Sequence, residues 1–447
     1  MSNLERLVVF NVVGLTPAHI ADKSLTLNIN RMAEAGAVSV VKPQFPAVTG
    51  SIQATYLTGC EPCRHGIIGN GVYDRQRSTV TMWEQTGARL EGKTIWQTLK
   101  NYDPKSTTAI LFWQFIKYAS ADIVLTPSPI HNEKGITTWC FSSPSNWYET
   151  MVGKIGEFPL HHFWGPLASI KSSEWIMKAT LETIKTYDPN LTLVYLPNLD
   201  YNAQRFGPNS EEARQSVKEI DTLIGQFIDE IVEGRIKTDT NVLILSEYAI
   251  QKVSRAVHIN KVLRDKGFLQ VALIDGKEYI DFFHSQAFAV ADHQLAHVYC
   301  KENCIKEVKI TLRQVAGISE VLGEVGKKAY RIDHENSGEL VAIAEKDAWF
   351  TYYWWKSDEQ APGFVRGVDI HRKPGYDPCE LFIDPVTRSI PLKPKLIMGS
   401  HGRPAEGSQD LVSLVAYGPQ ANIIGKQGIW ETRDIHSLLL EILGYPK

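Results

Sequence analysis

Thr49 stands in the stretch FPAVTGSIQATYLTG, residues 45 to 59, where a hydroxyl precedes a run of small residues with the look of a helix. Two kinds of chemistry are open to it. A Thr, Ser, Asn or Asp ahead of a helix ordinarily accepts a hydrogen bond from the first free N–H groups and caps it. The same N–H groups, with the helix dipole behind them, also attract a phosphoryl oxygen, which would set an anionic substrate over the Thr49 hydroxyl and make it a nucleophile. Other polar residues stand where apolar runs end: Asn11, Asp200, then Glu247 and Tyr248.

These residues need a frame. LVVFNVVGL (7 to 15), TTAILFW (107 to 113), LTLVYLP (191 to 197) and TNVLILS (240 to 246) are apolar and β-branched, as buried parallel strands are. Helical patterns separate them. After Pro208, Asn209 and Glu212 suit a capping box, and Ala213, Val217, Ile220, Ile224, Phe227, Ile228 and Ile231 mark one apolar face. The alternation predicts an α/β protein, a doubly wound, mostly parallel sheet flanked by helices, with ligands at the carboxyl ends of its strands. Residues 271–395 read differently, with aromatic, hairpin-like stretches such as DAWFTYYWW and turns at Gly338 and Gly375. They are expected to form a smaller inserted α+β lobe, leaving 1–270 and 396–447 as the core. LIMGSHGRP and SLVAYGP read as core strands again.

Bulk properties narrow the class of ligand. In 447 residues, 43% are hydrophobic and 22% charged, and the formal net charge is −3, so there is no general electrostatic reason to expect a nucleic-acid duplex or a membrane as partner. A soluble protein with a small anionic or neutral substrate is the expectation. The start, MSNLERLVVFNVVGL, lacks the pattern of a secretory signal, and no span has the length of a transmembrane helix. The six cysteines, at 60, 63, 140, 300, 304 and 379, are too sparse for a disulfide scaffold, so the cytoplasm is the expected compartment. Cys60 and Cys63 form a CxxC and Cys300 and Cys304 a CxxxC, open to a four-thiolate zinc site or, more simply, to turn and core cysteines.

The order of the pieces carries more: a first strand holding Asn11, a Thr at a helix start, then HGIIGNGVYD, PNLDYNAQRFGP, SEY and GSHGRP. Here the chain resembles the nucleotide pyrophosphatase/phosphodiesterase branch of the alkaline phosphatase superfamily, over most of its length. The resemblance implies a two-metal hydrolase, usually with zinc, in which a Thr or Ser forms a covalent phosphoryl enzyme. Carried over by residue, Thr49 matches the nucleophile and Asn70 a donor to a nonbridging phosphoryl oxygen. Asp200 and His401 match ligands of the first metal.

The departures are specific. The family's first-strand aspartate is Asn11, the histidine four residues after Asp200 is Gln204, and the Ser-Asp-His is Ser246-Glu247-Tyr248. Asn and Gln offer only a neutral oxygen, a Tyr must lose a proton to ligate, and imidazole is lost twice. An oxygen-rich set of Asp200, Glu247, Asn11 and Gln204 would suit manganese, magnesium or iron better than zinc. The minimal outcome is one divalent metal held by Asp200 and His401.

Further groups are open to either of two readings. His293 and His297 in ADHQLAHVY share a face in strand or helix and can ligate a metal or hydrogen-bond within a strand. In VDIHRKPGYDP, Asp369, His371, Arg372 and Lys373 can line a phosphate-binding mouth or a solvated loop. Arg205 can meet an anionic substrate or form a surface ion pair. The expected activity is metal-dependent hydrolysis of a phosphate mono- or diester through a phosphothreonine. Open beside it are phosphoryl or sulfuryl transfer on the same parts, and a non-catalytic pseudoenzyme that binds an anionic ligand. Substrate, metal and oligomeric state are not readable.

Overall fold

The computed structural model describes residues 4–133 and 135–446; residues 1–3, 134 and 447, which belong to the expected core and its ends, lie outside the described residues. A nine-stranded sheet organises the chain: β1 (Arg6–Val12), β2 (Ala37–Lys42), β3 (Thr108–Leu111), β4 (Ile123–Pro127), β5 (Cys140–Ser143), β6 (Leu191–Leu196), β7 (Thr240–Leu245), β8 (Val412–Tyr417) and β9 (Trp430–Glu431). Their spatial order is β9-β2-β8-β7-β1-β6-β3-β4-β5. All pairings are parallel except those of β8 with β7 and β2, and of β5 with β4. The doubly wound α/β architecture expected from the alternation is present.

β1 lies at the centre, between β6 and β7, with every residue from Leu7 to Val12 buried. Successive side chains of a strand face opposite sides, and both faces of β1 are covered. Phe10 meets Phe227 of the helix Glu211–Val232 edge-on, with ring centroids 4.8 Å apart. Asn11 looks the other way, toward the helix Thr49–Thr58.

The apolar face read from Ala213 to Ile231 is buried throughout. Its cap is Ser210, whose hydroxyl accepts from the Ala213 N–H at 3.1 Å, and not Asn209. The capping reaches one residue further along than the sequence reading placed it, because Ser210 is the last residue with extended backbone.

Between β7 and β8 the chain builds a four-stranded antiparallel sheet, in the order Ala287–Asp292, Leu295–Cys300, Leu340–Ala344, Ile318–Leu322. DAWFTYYWW is not a hairpin. Only Ala348–Phe350 is strand, paired in parallel with Arg255–Val257, and Tyr352, Trp354 and Trp355 continue as buried irregular chain. LIMGSHGRP is not a core strand either: Gly399–Ser400 pairs with Gln251–Lys252 in a ribbon outside the nine-stranded sheet. SLVAYGP does enter the large sheet, but antiparallel, as β8. Among the described residues no helix is long and apolar enough to cross a membrane.

Candidate active site

The helix Thr49–Thr58 is buried at every residue, and its N-cap is Val48, with no side-chain capping bond. Thr49 is its first turn and does not cap it. The Thr49 hydroxyl instead lies 3.0 Å from the Tyr248 hydroxyl, across the end of the sheet. The capping reading of Thr49 is thereby corrected: the extended backbone that precedes the helix belongs to Val48, so Thr49 has no side-chain reach to the N–H groups beyond it.

Two residues past β7, Glu247 is wholly buried. Its Oε1 accepts from the Asn11 Nδ2 at 2.6 Å and from the Gln53 Nε2 at 2.6 Å. Gln53 sits one helical turn after Thr49, and its own Oε1 accepts from the Gln114 N–H at 2.7 Å. Burial pushes the Glu247 carboxyl up to about 8, against the opposing pull of the hydrogen bonds from Gln53, Asn11 and Thr49.

Asp200 follows β6, in the first turn of the helix Asn198–Phe206. Gln204, one turn on, donates its Nε2 to Asp200 Oδ2 at 2.7 Å, and its Oε1 accepts from the Tyr376 hydroxyl at 2.7 Å. Burial lifts Asp200 to about 7. His401 comes in on the ribbon Gly399–Ser400. Its Nδ1 is 2.8 Å from the Ala47 carbonyl oxygen, so Nδ1 carries the hydrogen and the Nε2 lone pair is left facing Asp200 Oδ1 at 4.0 Å. The Tyr248 ring lies flat on the imidazole, with centroids 3.5 Å apart and planes 6° apart. Burial lowers the proton affinity of His401 and raises that of the Tyr248 phenolate, so both groups are held neutral.

His293 joins this group. It stacks on Tyr376 with centroids 3.6 Å apart and meets His401 at a tilt of 38° with centroids 3.9 Å apart, and its Nδ1 is 2.7 Å from Asp292 Oδ1. It stands in the two-residue turn between Ala287–Asp292 and Leu295–Cys300, at φ 60°, so the face shared with His297 does not form. His297 points away, its Nε2 2.9 Å from the Ile68 carbonyl oxygen and its Nδ1 accepting from the Gly338 N–H at 3.3 Å. The structure thus brings Asn11, Thr49, Asp200, Gln204, Glu247, Tyr248, His293 and His401 to one cleft.

Other candidates are committed elsewhere. Asn70 accepts from the Gly50 N–H at 2.8 Å and gives its Nδ2 to Asp292 at 3.0 Å, tying the helix start to the His293 turn. Arg205 is not a surface ion pair or an anion contact: its guanidinium donates to the carbonyls of Leu381 and Gly165 at 3.0 Å each, and to Pro166 and Ala168. Lys373 is no part of a mouth, being buried between Asp377 at 2.8 Å and Glu380 at 2.6 Å. Arg372 pairs with Asp369 at 2.7 Å. His371 does line the cleft, with Nδ1 3.2 Å from the Met82 carbonyl oxygen.

Beyond Thr49 the cleft opens into a cavity of about 140 Å³ walled by Trp83, Phe112, Trp164, Tyr201 and Tyr376. No Lys or Arg is among the described residues that line it. Gln85 Oε1 and Thr126 Oγ1 are buried there without a hydrogen-bond partner. The sequence reading missed Gln53, Tyr376 and these walls. Gln53 alone left a signal, as an amide in an otherwise small and apolar helix, four residues from Thr49 and so on its face.

Four buried lone-pair atoms in the cleft have no partner: Asn11 Oδ1, Asp200 Oδ1, Glu247 Oε2 and His401 Nε2. The donor set still does not fit the pair of metals the resemblance implies. Gln204 turns N–H groups toward Asp200, Glu247 already takes two amide hydrogens on one oxygen, and the Tyr248 hydroxyl is engaged with Thr49 at 3.0 Å. Among the described residues no three His, Cys, Asp or Glu side chains gather as a metal site, and the six cysteines are free thiols.

The sequence model of the family described as type I phosphodiesterase / nucleotide pyrophosphatase matches residues 7–377. An ectonucleotide pyrophosphatase/phosphodiesterase of Caenorhabditis elegans is 23% identical over 282 residues, covering 62% of this chain and 29% of that protein. A pyrophosphatase/phosphodiesterase of Schizosaccharomyces pombe is 23% identical over 245 residues, covering 52% and 42%. This chain therefore spans less than half the length of either relative in its matched part. Among solved structures, murine ectonucleotide pyrophosphatase/phosphodiesterase 5 superposes with a TM-score of 0.62 at 17% identity, covering 98% of this chain and 95% of that one. Phosphonoacetate hydrolase from Sinorhizobium meliloti, in complex with phosphonoformate, gives 0.61 at 15% identity, covering 98% and 96%.

Proposed function

Because the chain belongs to the type I phosphodiesterase / nucleotide pyrophosphatase family, we propose that the cleft hydrolyses a phosphate mono- or diester through a covalent phosphothreonine on Thr49. One observation carries this reading: the Thr49 hydroxyl, at a helix start yet free of any capping duty, is held in the cleft by Tyr248 beside the Glu247 carboxyl.

Glu247 in its ionised form takes the hydroxyl proton as Thr49 Oγ1 bonds to phosphorus. The ester P–O bond breaks on the opposite side, and the departing oxygen is protonated by water. The hydroxide left by that water then attacks the phosphothreonine, and Glu247 returns its proton to the departing Thr49 oxygen. The helix start faces the developing negative charge. The aromatic cavity, with no cationic side chain and with the unpartnered oxygens of Gln85 and Thr126, suits an uncharged planar ester group bearing N–H or O–H donors. The fold neighbour solved with phosphonoformate supports a small phosphorylated substrate. The cytoplasm is the compartment we propose, on the sparse cysteines of the sequence.

A non-catalytic module remains the second reading, favoured by the neutral Asn11, Gln204 and Tyr248 where the resemblance implies metal ligands. The two separate on aryl phosphate and bis-aryl phosphate esters, assayed after chelation and again with zinc, manganese, magnesium or iron. Thr49→Ala should abolish turnover with the fold intact, Thr49→Ser should keep part of the rate, and acid quench should trap phosphothreonine. If no ester is cleaved under any of these conditions, the binding module stands and the hydrolase reading falls.

A further inference from the structure

In its ionised form, the one assigned as base for Thr49, Glu247 is a buried negative charge, and it meets two side-chain amides. The orientation of one is fixed by chemistry. Gln53 Oε1 accepts from the backbone N–H of Gln114, which can only donate, so the Gln53 NH₂ must be the end that meets Glu247. The Asn11 amide meets the same carboxylate oxygen at the same 2.6 Å, and the reverse orientation would set a carbonyl oxygen against it. Charge-assisted bonds of this length are strong. Asn11 and Gln53 come from different elements, β1 and the nucleophile's own helix, so the amides close on Glu247 from two directions.

The Tyr248 hydroxyl lies 3.0 Å from the Thr49 hydroxyl, and the Tyr248 ring stacks on the His401 imidazole. Asn11, Gln53, Glu247 and Tyr248 are all buried. A divalent ion seated between Thr49 and Glu247 would lie near the positive ends of two amide dipoles and against the Tyr248 side chain packed on His401.

We propose that the amide hydrogens of Asn11 and Gln53 stand in for a cation beside the nucleophile, so that the Thr49–Glu247 side of the cleft binds no divalent ion. This departs from the metal arrangement implied by the resemblance. It rests on the cleft described under the proposed function but not on its chemistry, since metal can be counted without substrate.

Zinc and manganese binding are measured by titration calorimetry and elemental analysis on the full chain, for wild type, Glu247→Gln and the double variant Asn11→Asp with Tyr248→His. The stoichiometry should be the same in wild type and Glu247→Gln, and the double variant should gain one equivalent. Loss of an equivalent in Glu247→Gln, or a folded double variant that gains none, overturns the proposal. Should the double variant fail to fold, anomalous diffraction from wild-type crystals equilibrated with zinc chloride decides. Featureless density between Glu247 and Thr49 upholds the proposal, and a peak there refutes it. A protein that cleaves no ester can still pass every one of these tests.

Discussion

Replacing Glu247 by Gln removes a carboxyl that burial has pushed from 4.5 up to about 8, while keeping its shape and an oxygen for the amides of Asn11 and Gln53. The folded form holds this proton more tightly than the unfolded chain does. Between pH 4.5 and about 8 the unfolded chain therefore releases a proton that the folded one keeps, and stability falls as pH rises through that window. A shift from 4.5 to about 8, at roughly 1.4 kcal/mol per unit, sets an upper figure of about 5 kcal/mol for this loss. Local relaxation around the ionised group brings the expected figure to between about 2 and 5 kcal/mol. Urea midpoints near the lower end of the window should be similar for wild type and Glu247→Gln, and above it the variant should be the more stable. Asp200, lifted from 3.8 to about 7, adds to the wild-type slope in the same sense, so Asp200→Asn serves as a second, smaller correction. Wild-type and Glu247→Gln profiles that run parallel across the whole range would show that Glu247 titrates like an exposed glutamate, and the base assigned to Thr49 would lose its footing.

If Glu247 takes the Thr49 proton, kcat/KM for an aryl phosphodiester should rise with pH through about 8 and then level off, and Glu247→Gln should flatten that rise. Ser210→Ala should cost about 0.5 to 2 kcal/mol in chemical denaturation as a lost helix cap, with Asn209→Ala close to silent. Lys373→Ala leaves Asp377 and Glu380 buried without their cation and should cost about 3 to 5 kcal/mol. Phe227→Ala, which empties the contact with Phe10 beneath the central strand, should cost about 3 to 5 kcal/mol, read from urea midpoints.

Residues at strand ends were legible because a parallel sheet sorts them. Asn11, Asp200 and Glu247 each interrupt or follow an apolar run, and a doubly wound sheet brings such positions to one edge. Thr49 and His401 were found through their motifs, and their placement in the cleft follows from contacts over long separations that periodicity does not encode. His293 and His297 illustrate the limit. Their spacing fits a shared face, but a two-residue turn at Asp292–Leu295 puts one in the cleft and the other behind it. Arg205 and Lys373 failed for a related reason: their charge reads as surface, yet each is paired inside the protein, with carbonyls or with two carboxylates. Tyr376 left no signal, since the bond that matters joins it to Gln204, 172 residues earlier. The aromatic run DAWFTYYWW was read as hairpin because aromatic residues favour strands, but only Ala348–Phe350 pairs, and beyond Phe350 tertiary packing buries the rings.

The ribbon that delivers His401 has a consequence for the timing of synthesis. Thr49 meets Tyr248 across 199 residues, and the imidazole that leans on Ala47 is made 354 residues after it. A chain emerging from the ribosome can hold its first strand and its nucleophile helix for much of its elongation before the partners of either exist, and contacts of such sequence separation form late and slowly. The cleft therefore cannot be complete before residue 401 has been made. A half-made chain carries the threonine with Asn11, Gln53 and Asp200, but it lacks Glu247, Tyr248, His293 and His401, so the proposed base and the ring that packs beside it arrive only with the second half.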